Sequence, residues 1–539
     1  WTFTRSILIG RETERPYLQG CKLTNIRFLT SIIESLVRTN NCFKKKNMHL
    51  YNRHMIFLKK YIYQVLIVFL VSLILFGHFL NKESSASKKN EISNFAKQLK
   101  TRNNQLAKIQ KNLFNNGNNI NDFINEGKIN FKKITEDKML IDFNGYSFSK
   151  YKTNDDLFNS YSFSKYTTND ILFNGNLGAI GTGFIDFYNE DKNIFLATYD
   201  GIFAYAKLNN IEEFTKIKSN INELIKHEGF YFHEQYGIKD ILVDKDRLYV
   251  SYIGQKKDNC YDLKIISTEL NEKYLNFEIF YETLKCVDTK NDHGYWAHQG
   301  AGGRMLKIDD SNILFTTGDF RNRPLAQKLD SEFGKILKIN ISKKKADVVS
   351  YGHRNPQGLF YSKKYDFILS TEHGPKGGDE ININHKPFSE IKNFGWPISS
   401  YGEHYSKHYS KKILKEAPLN KSHKKYGFIE PVKYFVPSIG ISQLVSINNE
   451  DSEFFVGAMG NEIKDQDLGI HYIKLNENRD KVIKHKYIPL NERVRDMIVS
   501  KDQKIILIFL ETSSSIVILN KQENWKNRYK KKAWWVEYH

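Results

Sequence analysis

Hydrophobic and polar positions divide this chain into three regimes. Tyr61 to Leu80 (YIYQVLIVFLVSLILFGHFL) is apolar almost without interruption, and at about 1.5 Å per residue it is near the ~20 residues a helix needs to cross a bilayer core. Lys88 to Asn116 is polar, with Ile92, Phe95, Leu99, Leu106, Ile109 and Leu113 at near-helical spacing, which predicts a helical or loosely ordered stalk. Beyond it, a polar turn followed by a short apolar or alternating run recurs at Lys192–Leu196, Asp246–Val250, Ser311–Phe315, Tyr365–Leu369, Ser452–Val456 and Gln503–Leu507. Several of these runs lead through a glycine turn into a second strand, as in Asp200–Tyr205 and Gly334–Ile339, the signature of a hairpin. Spacings of about 50–90 residues suit propeller blades with long loops. The expected fold class is all-β, a six-bladed β-propeller, and periodicity alone leaves a two-domain β-sandwich open.

Tyr146–Ser160 (YSFSKYKTNDDLFNS) is nearly repeated by Tyr161–Gly175 (YSFSKYTTNDILFNG). A duplication this short predicts one extra hairpin or loop at a domain edge, without chemistry of its own. Arg53, Lys59 and Lys60 precede the apolar segment, so the positive-inside rule keeps the amino end cytoplasmic and exports the bulk of the chain. A cleaved signal peptide competes with an uncleaved anchor, because Ser84, Ser85 and Ala86 offer small residues, although the apolar run exceeds the usual ~7–15. The expected organisation is an upstream extension or translation artefact over 1–47, a cytoplasmic segment over 48–60 and a transmembrane signal-anchor over 61–80. A stalk follows over 81–130, then a propeller over 131–525 and a basic aromatic tail over 526–539.

Charge and cysteines refine this picture. The formal charge is +20, but the lysines are spread among Asn, Ile, Phe and Tyr without one basic face, which fits a solvated surface and not a nucleic-acid partner. Setting aside residues 1–47 leaves Cys260 and Cys286, which read either as one disulfide of an exported domain or as two unrelated thiols.

The densest chemistry lies in Gly352-His353-Arg354-Asn355-Pro356-Gln357-Gly358-Leu359, in Glu372-His373-Gly374-Pro375-Lys376-Gly377-Gly378-Asp379-Glu380-Ile381-Asn382 and in Asn393-Phe394-Gly395-Trp396-Pro397. An arginine, amides, a carboxylate pair and several glycines on loops form the kind of set that a rigid scaffold holds as a site. With Gln235-Tyr236-Gly237, His298-Gln299, Gly302-Gly303-Arg304, Thr316–Asp319, Gly334–Leu337, Val436–Ser438 and Arg493–Asp496, these strings resemble the glucose/sorbosone dehydrogenase family over about Phe184 to Leu519. That family comprises the soluble pyrroloquinoline quinone (PQQ) sugar dehydrogenases and their aldose dehydrogenase relatives.

The resemblance implies a six-bladed propeller that oxidises an aldose to its lactone with PQQ and Ca²⁺, passing electrons to a quinone or cytochrome acceptor. Its catalytic histidine corresponds best to His298, whose imidazole can accept a hydroxyl proton near neutrality. About two residues are inserted before Arg304, and Ala297 stands where relatives carry aspartate, so Asp292-His293 supplies the reserve base, His293. Gln235 matches a substrate-positioning glutamine, and Arg354 and Asn355 match the pair lying against the quinone. Gly374 and Pro375 match carbonyl ligands of the calcium that also holds the cofactor, while Asp379 and Glu380 match acids of a second calcium site. Arg493 and Arg495 alternate, so one strand face would present both to the cofactor's carboxylates. Gly460 and Asn461 stand where the glucose enzymes carry a cofactor-binding lysine, which places the chain nearer the aldose branch. The rival reading is a non-catalytic propeller that binds carbohydrate or protein.

Overall fold

A computed structural model describes residues 128–130, 132–134, 161–167 and 182–521, apart from 228, 233–234, 289–290, 292–299, 387, 407–408 and 462. Strands dominate, and they group into six sheets whose four principal strands run antiparallel, in sequence order in the first five. Blade 1 is Gly183–Tyr188, Asn193–Thr198, Phe203–Lys207 and Asn210–Ser219, and blade 2 is Ile238–Asp244, Arg247–Lys257, Cys260–Glu269 and Glu278–Glu282. Blade 3 is Gly302–Asp309, Asn312–Thr317, Lys335–Asn340 and Lys345–Tyr351, and blade 4 is Pro356–Ser362, Phe367–Glu372, Asp379–His385 and Lys433–Phe435. Blade 5 is Ile441–Ser446, Glu453–Ala458, Gly469–Leu475 and Val482–Pro489; blade 6 begins Val494–Val499, Ile505–Leu510 and Ser515–Lys521. The first strand of each blade touches the first strand of the next, and that of blade 6 touches that of blade 1, so the ring closes as a six-bladed propeller.

The six periodic runs read from the sequence are the second strands of the six blades. Those strands are sheathed on both faces, which is why Asn193–Thr198 and Phe367–Glu372 are buried at every residue and read as near-continuous apolar runs. An apolar cluster fills each of the six seams between neighbouring blades; Phe184, Phe195 and Phe203 of blade 1 meet Ile238, Leu248 and Ile266 of blade 2, for instance.

The innermost strands read less clearly because their axial residues are polar. Asp186 accepts from the backbone N–H of Val243 at 2.7 Å, Asp240 from Met305 at 2.7 Å, Asp496 from Ile185 at 3.1 Å and Gln443 from Leu359 at 3.2 Å, each bond tying one blade to the next. These strands are the inner edges of their sheets, so N–H groups on their open side have no ladder partner and are satisfied by these side chains.

The duplicated segment does more than its reading as a spare hairpin or loop. Tyr161–Thr167, in the second copy, is the fourth strand of blade 6, paired from Lys521↔Tyr161 to Ser515↔Thr167. The ring is thus closed by joining a strand that precedes blade 1 to the blade that ends the fold. Lys128–Asn130 adds to the outer edge of blade 1, inside the segment read as stalk. Cys260 and Cys286 form a disulfide that ties the third strand of blade 2 to the segment leaving that blade. Among the described residues no helix is long and apolar enough to cross a membrane; the apolar segment 61–80 lies outside them.

Candidate active site

Loops joining second to third strands, and loops joining one blade to the next, open on one face of the propeller; Gln235, Arg354, Asn355, Gly374, Pro375 and Arg493 lie on them, and Asp379, Glu380 and Arg495 stand at the starts of the strands they lead into. An insertion between the third and fourth strands of blade 4 also reaches this face. Its first residues, Lys392–Asn393, run parallel to the last strand of blade 3, and it continues through Phe394 N–H to Tyr351 O at 2.9 Å and Trp396 N–H to Gly352 O at 2.9 Å. Gly352 has φ +75°, and a Cβ there would lie 2.2 Å from Asn393 Oδ1, so the close approach of Trp396 depends on glycine.

Arg354 and Asn355 occupy the crossing from blade 3 to blade 4. Buried Glu372 accepts from Arg354 N–H at 2.9 Å and from Asn382 Nδ2 at 2.8 Å, which fixes the backbone. The Arg354 guanidinium donates to His373 O at 2.7 Å and lies 5.5 Å from the centre of the Trp396 ring. Asn355 Oδ1 accepts from Gly302 N–H at 3.0 Å and Gln357 Nε2 at 2.9 Å, joining the Gly302 turn to the same site.

The turn after Glu372 is backbone against backbone: a Cβ on Gly374 would fall 2.0 Å from Gly378 O, and one on Gly378 2.2 Å from Gly402 N. Asp379 is fully buried and accepts from the N–H groups of Gly374 at 2.9 Å, Ile439 at 3.1 Å and Ile441 at 3.0 Å. Glu380 is buried against His423 Nε2 at 3.0 Å and Asn382 Nδ2 at 3.3 Å. Asp379 therefore holds the turn in shape, while Glu380 ties the third strand of blade 4 to the inserted segment through His423. Pro375 O accepts from the Ser438 hydroxyl at 3.2 Å.

Arg493 and Arg495 do share one face, as their alternation predicts, and they grip a common buried carboxylate, Glu511, at 3.2 and 2.7 Å. Burial pushes Glu511 up, but Arg495 and Arg493 prevail and hold it below the usual carboxylate range. Arg493 also donates to Met459 O and to Gly460 O, the latter at 3.0 Å. Gly460 cannot carry a side chain in this turn, because a Cβ would sit 1.8 Å from Asp467 Oδ2. The expected lysine is thus replaced by a turn whose carbonyls dock an arginine.

The Arg354 contact and the start of the Gly374 turn meet at His373. Burial, and then the charges of Arg354, Arg495 and Arg493, lower its pKa to about 4 against the pull of Asp379, so its imidazole is neutral at neutral pH. Gln235 is half-buried on the same face, in the loop entering blade 2. His298 and His293 lie outside the described residues.

Sequence reasoning missed a second group of residues. Arg304, part of the quoted Gly-Gly-Arg string, does not face the loops: it is buried at the axis, bound to Asp240 at 2.7 Å and Asp496 at 2.8 Å, and donates to Gln357 O at 2.9 Å. Asp319 ends the quoted Thr-Thr-Gly-Asp string, and Arg321 and Arg323 follow it on the loop beside Trp396 and Tyr405. Asp319 accepts from the indole Nε1 at 2.7 Å, and Arg323 lies 5.5 Å from the same ring. Their loop is held from beneath by Lys335, fully buried, whose ammonium donates to Leu325 O, Ala326 O and Phe333 O at 3.0, 3.0 and 2.7 Å. Asp-Phe-Arg-Asn-Arg-Pro, with two arginines beside a turn acid, was the available signal.

Comparison with known proteins agrees with this architecture. The aldose sugar dehydrogenase YliI of Escherichia coli is 27% identical over 314 residues, covering 53% of this chain and 77% of that protein. An uncharacterized protein of Synechocystis sp. is 28% identical over 249 residues, covering 41% of this chain and 56% of its own length. Among solved structures, a glucose dehydrogenase (TM-score 0.51) and the apo form of the soluble E. coli aldose sugar dehydrogenase (TM-score 0.50) are each 21% identical, cover 63% of this chain and 96% of their own, and share the fold. A model described as glucose/sorbosone dehydrogenase matches residues 191–518, and the chain belongs to the glucose/sorbosone dehydrogenase family.

Proposed function

We propose that this protein is an oxidoreductase that oxidises an aldose sugar to its lactone with PQQ and Ca²⁺. The observation that carries the reading is the Arg354 guanidinium, which donates to His373 O at 2.7 Å where the Gly374–Pro375 turn begins and lies 5.5 Å from the centre of the Trp396 ring. PQQ is a planar tricarboxylate. Arginines that present flat, permanently charged donors suit it, and the Arg354 guanidinium already lies near an aromatic ring. Calcium takes hard oxygen ligands, and the carbonyls of Gly374 and Pro375 are of that kind. No group of three or more acidic, histidine or cysteine side chains able to hold a metal occurs among the described residues. Those two carbonyls would hold the calcium, and Asp379 shapes the turn that offers them; Asp379 and Glu380 would serve a second calcium site.

When bound, PQQ supplies an ortho-quinone able to accept hydride from the anomeric carbon. His298 takes the proton of the anomeric hydroxyl, with His293 as the alternative base. Gln235 orients the sugar; Arg354 and Asn355 hold the charge that develops away from the proton acceptor. Arg493 and Arg495 stay fixed on Glu511, so their charge is available without reorganisation. Electrons leave to a quinone or cytochrome. The segment over 61–80 anchors the protein with the propeller outside the cytoplasm, a placement that the Cys260–Cys286 disulfide supports.

Dye reduction by the full chain in detergent, with and without PQQ and Ca²⁺, tests this against a panel of aldoses. Turnover should require both cofactors and fall by about 10²–10⁴ in His298→Ala. Full turnover in that variant moves the base to His293, and sugar binding without turnover favours a binding propeller.

A further inference from the structure

Lys335 opens the third strand of blade 3, and its side chain is fully buried where an apolar residue would be the ordinary choice. Its backbone is pinned to the second strand, the N–H donating to Thr317 Oγ1 at 3.1 Å. Its Nζ donates to three main-chain carbonyls, Leu325 O and Ala326 O at 3.0 Å and Phe333 O at 2.7 Å. Three donated bonds from one nitrogen require an ammonium, since a neutral amine has only two hydrogens to give. A buried charge is costly unless it is fully hydrogen-bonded, and here all three hydrogens are used. A methionine would fill the same space but leave three buried carbonyls without their donor.

These carbonyls belong to the loop that carries Asp319 and Arg323, and one of them leads on to the candidate site. Ala326 O also accepts from Gly352 N–H at 3.0 Å, and Gly352 O accepts from Trp396 N–H at 2.9 Å. Gly334 O, next to Lys335 in the chain, accepts from His353 N–H at 3.2 Å, so the crossing into blade 4 is held at two points. Ala326 and Trp396 pack together with Leu419. The Trp396 ring so placed donates to Asp319 at 2.7 Å and lies 5.5 Å from the Arg354 guanidinium.

We infer that Lys335 is a positioning residue for the cofactor face. Its ammonium gathers the Leu325–Phe333 loop at one point and, through Ala326 and Gly352, sets the Trp396 ring against Arg354. It acts through these residues and not by contact with sugar or quinone. The consequence for the cofactor rests on the quinone reading above; the effect on Gly352 and Trp396 does not.

Amide hydrogen exchange of the full chain in detergent tests this at Gly352 and Trp396, with the strand Glu453–Ala458 of blade 5 as the reference. Lys335→Met keeps the length of the side chain and removes its charge. Exchange at Gly352 and Trp396 should rise about tenfold or more in that variant while the reference strand is unchanged, because the loss is local. Lys335→Arg, which keeps the charge, should return part of the protection. Lys335→Gln, neutral but still able to donate two bonds, should show the same local rise and serves if the methionine variant does not fold. The dissociation constant for PQQ, titrated in the presence of calcium, should rise about tenfold or more in the neutral variants and recover in part in Lys335→Arg. Unchanged exchange at Gly352 and Trp396, or a rise shared equally by blade 5, overturns the inference. A local rise with PQQ affinity unaltered also overturns it, leaving Lys335 a support of its own loop. A local rise that Lys335→Arg reverses, in a natural protein that does not bind PQQ, keeps the link to Trp396 and rejects the quinone reading.

Discussion

Asp186, Asp240 and Asp496 surround the single guanidinium of Arg304 at the axis, an excess of negative charge in a buried place. Burial pushes Asp186 up to about 7, against the N–H groups of Val243 and Phe187 and with repulsion from Asp496 adding to it. Burial likewise raises Asp240 to about 8, against Arg304. An acid whose folded pKa lies above its unfolded value of about 4 adds stability that is complete below pH 4 and lost as pH rises through the folded value. The melting temperature should therefore fall by about 5 °C or more between pH 5 and pH 8, and Asp186→Asn should flatten that slope. A slope of opposite sign, or one untouched in the variant, would show that these carboxylates are ionised throughout. None of this axial cluster was legible in the sequence, because its members sit in different blades and only closure of the ring brings them together. Arg354 and Asn355 were legible because one contiguous string carries both their chemistry and the glycine that seats them. Arg323 was not, since its place depends on Trp396 and Tyr409 from an insertion far along the chain.

Strands show the same division. The second strand of every blade was readable from its apolar run, whereas inner strands with Asp240, Arg304 or Asp496 at bulges look like loops until their neighbours are present. The tandem repeat is the sharpest case: both copies carry Tyr-Ser-Phe-Ser-Lys-Tyr, and it is Tyr161–Thr167 of the second that closes blade 6. Removing residues 146–160 should leave the melting midpoint within about 2 °C, because a closing strand remains. Removing 146–175 should lower it by at least about 5 °C, since blade 6 loses its outer strand and the ring its clasp. Equal midpoints for the two deletions would mean that closure does not depend on this strand.

Across the whole molecule, six seams of apolar packing make a rigid ring, and one face of it carries loops fixed by buried acids: Glu372 under Arg354, Asp379 under the Gly374 turn and Glu511 under Arg493 and Arg495. Under the proposed function, this face would receive a flat anionic ligand on guanidiniums whose loops are already held in place. Equilibrium titration of the full chain with PQQ in the presence of calcium, comparing the natural protein with Arg354→Gln, tests this most directly. The account predicts saturable one-to-one binding that weakens about tenfold or more in the variant, as expected for loss of a charge-assisted donor. Failure of the natural protein to bind PQQ, or unchanged affinity in Arg354→Gln, would contradict the assignment of this face as the quinone cradle.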